Sequence, residues 1–63
     1  MYKVMGKSKG EEYSICLDRE IPSREEACRI AMVMFLDSDR FVEITVEDDL
    51  YVGPKVHLKI IRY

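Results

Sequence analysis

Residues that carry recognisable chemistry are scarce in this sequence. Cys16 and Cys28 are the only cysteines, too few for the disulfide framework that stabilises small secreted domains, so both are expected as reduced thiols acting as small apolar side chains. His57 is the only histidine, and no CxxC or HxxxH spacing occurs, so neither a metal site nor a cofactor is expected. The longest unbroken apolar run, Ile30 to Leu36, is too short to span a bilayer, and the first residues lack a basic stretch followed by an apolar one. A cytoplasmic protein with no membrane partner is expected. Neither sign of charge dominates: ten Lys and Arg against twelve Asp and Glu leave a net charge of −2, too little to steer the whole molecule toward a polyanion or away from one.

What is present is the composition of a folded chain, 48% hydrophobic and 35% charged, where disordered chains combine low hydrophobicity with high net charge. Sixty-three residues allow one domain, 1–63, with a marginal core. Tyr2-Lys3-Val4-Met5 alternates apolar with polar, and after Gly6-Lys7-Ser8-Lys9-Gly10 the alternation returns at Tyr13, Ile15 and Leu17. This is the pattern of a hairpin with its loop from Gly6 to Glu11, Val4 opposite Tyr13 and Tyr2 opposite Ile15 on the core side, and Lys3 and Ser14 on the far face. Ser23 followed by Glu26 is a capping box, and Pro22 ends whatever precedes it. A helix therefore starts at Ser23 and stops between Leu36 and Asp39. Ala27, Ile30, Ala31, Met34 and Phe35 fall on one stripe at helical spacing.

Phe41 to Glu47 alternates as a half-buried strand with Val42, Ile44 and Val46 inside, and Val56, Leu58 and Ile60 repeat the pattern. The alignment with the most sensible outer charges sets Val46 opposite Val56, Ile44 opposite Leu58 and Val42 opposite Ile60. Outside it pairs Glu47 with Lys55, Glu43 with Lys59, Phe41 with Ile61 and Thr45 with His57. The loop between them is Asp48 to Pro54. The expected fold is α+β, ordered β-β-α-β-β, with one helix on one face of a mainly antiparallel four-stranded sheet and 2-1-3-4 as an allowed strand order.

The helix has a second side. Met32, Val33 and Leu36 lie opposite the sheet-facing stripe with Glu25 and Arg29, so its second half is apolar nearly all round, and a one-helix domain has little to cover it. The expectation is an interaction surface of Arg29, Met32, Val33 and Leu36 that meets a second copy, as a homodimer, or a larger protein; the alternative cover is the Tyr51-Val52 segment. The other partner to weigh is nucleic acid, met by Lys3, Lys7, Lys9, Lys55, Lys59 and Arg62 if the hairpins lie side by side, with Tyr51 or Tyr63 to stack on bases. Glu43, Glu47, Glu11 and Glu12 stand against it. Gly6-Lys7-Ser8-Lys9-Gly10 departs from the phosphate-loop pattern and reads as a solvated tip, and Glu47-Asp48-Asp49 lacks the spaced ligands and central glycine of a calcium loop. With His57 expected in an exposed charged ladder, no nucleophile beside it and no small-molecule substrate pocket expected, the chain is read as a non-enzymatic protein-interaction module.

Overall fold

The capping sequence does what its chemistry requires. In the computed structural model, which describes residues 1–48, 53 and 55–62, the helix α1 runs Arg24–Asp37 with Ser23 as its N-cap and Ser38 as its C-cap. The Ser23 hydroxyl accepts from the Glu26 N–H at 3.4 Å, and the Ser23 carbonyl takes the first helical bond from Ala27 N at 3.0 Å. Glu25 and Glu26 occupy the first turn, where carboxylates favour the positive end of the helix dipole. Four strands accompany it: β1 (Tyr2–Ser8), β2 (Ile15–Ile21), β3 (Phe41–Asp48) and β4 (Val56–Ile61), in the chain order β1-β2-α1-β3-β4. They form one sheet of spatial order β2-β1-β3-β4, with every pair antiparallel. The α+β, β-β-α-β-β architecture is the one the sequence implies.

The helix packs on one sheet face. Val4, Ile21, Ala27, Ala31, Phe41, Ile44 and Val46 are buried, and Ile30, Met34 and Phe35 pack against them. Each large apolar side chain so enclosed contributes about 1.5–3 kcal/mol. Ala27 and Ala31 are both fully buried on the sheet-facing side of the helix, where small side chains allow it to pack close to the strands. Gly6 is the corresponding concession from the sheet: a Cβ on it would stand 2.6 Å from Leu17 Cδ1 and 3.0 Å from Phe41 Cδ1.

Both hairpins depart from the expected registers. β1 continues through Lys7 to Ser8, and the turn comes later, with Glu11 N donating to Ser8 O at 3.1 Å and Gly10 at φ 85, the left-handed conformation a type II turn needs at its third position. β2 begins at Ile15, so Ser14 precedes the strand. The partners are Gly6↔Ile15, Met5↔Cys16, Val4↔Asp18 and Tyr2↔Ile21, in place of Val4 with Tyr13 and Tyr2 with Ile15. Tyr13 is 80% exposed rather than inside. The physical reason is the far end of the strand: Ile21 supplies a core side chain, and β2 reaches it by two irregularities, one leaving Leu17 between paired residues and one carrying Glu20 at φ 59.

β3 and β4 pair two residues away from the expected alignment, as Val46↔Leu58, Ile44↔Ile60, Thr45↔Lys59 and Glu43↔Ile61. A slip of two keeps every side chain on its own face, so Ile44, Val46, Leu58 and Ile60 stay inward. Beyond Leu58 a bulge at His57 brings Val56 opposite Glu47 and leaves Val56 exposed, so Glu47 faces Val56 rather than Lys55 and Thr45 faces Lys59 rather than His57. Phe41, expected outside, is buried, because the irregularity between Lys7 and Ser8 turns the start of β3 inward. Asp48, expected in the loop, ends β3, and its N–H donates to Lys55 O at 3.0 Å. The rest of that loop, apart from Gly53 and with it the Tyr51-Val52 cover, and the stacking role of Tyr63 lie outside the described residues.

Candidate functional site

Helical periodicity places the candidate site. With Ala27, Ala31, Met34 and Phe35 turned to the sheet, the residues between them turn away, and Met32 is 45%, Val33 51% and Leu36 75% exposed. Arg29 is exposed beside them, as is Asp37 at the last helical position. The structure thus brings together all four residues expected on this surface and adds Asp37. Arg29 lies four positions before Val33 and Asp37 four after it, so the three share one stripe. The surface reads cation, apolar centre, anion along the helix axis.

The lysines of the alternative reading are distributed differently. Alternation about buried Val4 and Ile44 puts Lys3, Lys7 and Lys59 on the sheet face away from the helix. There Lys3 stands opposite Glu47 and Lys7 opposite Glu43, while Lys59 Nζ pairs with Glu43 Oε1 at 3.0 Å. Opposite charges in neighbouring strands make this face a mixed ladder rather than a continuous basic stripe. Lys9 lies at the first turn and Lys55 at the other end of the sheet, beside Asp48. Arg62 turns toward the helix: its Nη2 donates to Phe35 O at 2.6 Å and Ser38 O at 3.2 Å, and its guanidinium sits 4.2 Å from the centre of the Phe35 ring. Asp39 lies 3.8 Å from Nη1.

His57 is not in the exposed ladder expected for it. The bulge lets its Nε2 meet Asp48 Oδ1 at 2.7 Å, with side chains 14% and 22% exposed, and its ring meets that of Tyr2 edge-on at 5.3 Å. On the other face of the sheet Thr45 Oγ1 donates to Glu47 Oε2 at 3.1 Å. Among the described residues the imidazole therefore meets a carboxylate and an aromatic ring, not a hydroxyl or thiol, and no group of three or more His, Cys, Asp or Glu is gathered to hold a metal ion. Cys16 and Cys28 are free thiols. An open cleft of about 300 Å³ lined by Gly6, Ser8, Glu11, Tyr13, Ile15 and Arg40 lies by the first turn; Tyr13 and Arg40 reach it only because β2 starts late and β3 turns inward at Phe41, which alternation alone does not reveal. Among the described residues no helix is long and apolar enough to cross a membrane. Compared with known proteins, the chain matches no family model, no curated protein and no solved structure.

Proposed function

We propose that the domain is a non-enzymatic protein-interaction module that self-associates through the outer face of α1. The observation that carries this is the cluster of Met32, Val33 and Leu36 exposed together on a helix whose other side already fills the core. Leaving three large apolar side chains in water forgoes stabilisation that pairing supplies, and a core with seven buried residues among those described gains most from a second copy. The charges favour an identical partner over an unrelated one. Two copies of the helix laid antiparallel about a two-fold axis at Val33 set Arg29 of each against Asp37 of the other, so the surface is self-complementary in sign as well as in apolarity. A reducing compartment such as the cytoplasm suits two free thiols, one of them exposed.

Sedimentation across a concentration series tests the proposal. The expected result is a concentration-dependent dimer that Met32→Glu and Leu36→Glu shift to monomer while far-UV circular dichroism stays unchanged. A monomer at every concentration up to about a millimolar, where an association of about 4 kcal/mol already shows, overturns self-association.

A further inference from the structure

The two edges of the sheet are not equivalent. β2 is broken by two register irregularities and by Glu20 in the left-handed region, so it offers no evenly spaced row of peptide groups. β4 pairs with β3 without interruption from Leu58 to Ile61. Arg62 N donates to Val42 O at 2.8 Å, which fixes the phase: peptide groups of Leu58, Ile60 and Arg62 turn toward β3, and those of Lys59 and Ile61 turn outward. Among the described residues no strand lies beyond β4.

Residues 55–62 hold Lys55, His57, Lys59 and Arg62 and no carboxylate. His57 meets Asp48 and Arg62 turns to the end of α1, so the cation an added strand meets is Lys59, its side chain 54% exposed, whose partner Glu43 at 3.0 Å also stands opposite Lys7. On the face away from the helix, rows run Lys7, Glu43, Ile61 and Met5, Thr45, Lys59; Leu58 and Ile60 remain half-buried on the helix side. We propose that the free edge of β4 accepts an added antiparallel strand from an acidic partner protein: an extended segment with a carboxylate opposite Lys59, an apolar residue opposite Ile61, and apolar side chains on its other face that complete the cover of Leu58 and Ile60. Main-chain bonds to Lys59 and Ile61 supply the attachment, and the carboxylate selects the partner. A second copy does not fit this edge, because β4 against β4 brings Lys55 and Lys59 of both chains together and β2 is interrupted. The proposal rests on the reading of the domain as an interaction module, but on a surface separate from α1.

The test uses the whole chain with an alternating valine–glutamate peptide, and the valine–lysine counterpart as control, read by amide hydrogen exchange. With the acidic peptide the amides of Lys59 and Ile61 slow by about tenfold or more, while those of Leu58 and Ile60, already bonded to β3, change little. Ile61→Pro, which removes only an outward N–H and is tolerated on an edge strand, abolishes the effect with the remaining sheet protected, and Lys59→Glu transfers the preference to the lysine peptide. Equal response to both peptides, protection away from Lys59 and Ile61, or concentration-dependent protection of these amides without peptide overturns the proposal. A failure here with the α1 dimer intact leaves the module reading standing; protection of β4 in a chain that stays monomeric overturns the dimer and not the edge.

Discussion

Arg62 closes the C-terminal end of α1 across the fold, its Nη2 2.6 Å from the Phe35 carbonyl oxygen and its guanidinium 4.2 Å above the Phe35 ring. The last turn of α1 has no basic residue, and its final carbonyls have no partners within the helix. One planar cation from the end of β4 meets two of them and also the negative end of the dipole. Arg62→Ala is expected to cost about 1.5–3 kcal/mol, the range for hydrogen bonds to a charged group, measured as a lowered urea midpoint with unchanged slope. Arg62→Lys keeps the charge but loses the fork and the stacking plane, and is expected to recover less than half of that.

Gly6→Ala puts a methyl 2.6 Å from Leu17 Cδ1 and 3.0 Å from Phe41 Cδ1, an overpacking expected to cost about 1–3 kcal/mol. Because the closest atom belongs to Leu17, Leu17→Val relieves the worst of the crowding. The double variant is expected to lose less than the sum of the singles by about 0.5 kcal/mol or more in a double-mutant cycle of chemical denaturation.

Glu20 holds φ 59 without being glycine, a conformation that costs an ordinary residue about 1–2 kcal/mol. Glu20→Gly is expected to raise stability by up to about 1 kcal/mol, and Glu20→Val, with a branched Cβ, to lower it by about 1–2 kcal/mol. Paired thermal melts at equal concentration check the opposite signs.

The proposed antiparallel pairing of α1 with a second copy predicts a charge cycle. Arg29→Asp or Asp37→Arg alone sets like charges together twice per dimer and is expected to weaken association about threefold to tenfold, whereas the double reversal restores it. Sedimentation of the three variants at low and high salt gives the answer, and a double variant no tighter than the singles argues against this alignment.

The helix was legible because its signals are local: Ser23, Glu26 and Pro22 mark the start, and the stripe through Ala27 and Ala31 marks the buried side. The strand registers were not. Glu43 and Lys59 form an ion pair in the structure although they are diagonal rather than opposed, since long side chains reach across a slip of two; outer charges therefore could not choose between alignments that keep the same faces inward. Tyr13, Ile15 and Leu17 alternate like a strand, but Ile21 at the far end has more core to fill, and irregularities at Leu17 and Glu20 let the chain reach it. The exposure of Met32, Val33 and Leu36 follows from the helical period alone. The roles of Arg62 and Asp48 depend on which distant element arrives beside them, and that is a property of the assembled fold.

β1 lies between β2 and β3, yet the chain makes β2 and α1 before it makes β3. Each hairpin closes a short loop, but the seam joining Val4 to Val46 must wait for a segment separated from it by a hairpin and a helix, and such distant pairing carries most of the entropy of closure. A chain that has left the ribosome only as far as α1 thus holds a helix with half a floor. Replacing Val4 or Val46 by a smaller side chain is therefore expected to slow refolding, read as the rate at which the seam closes, as well as to lower the stability of the finished sheet.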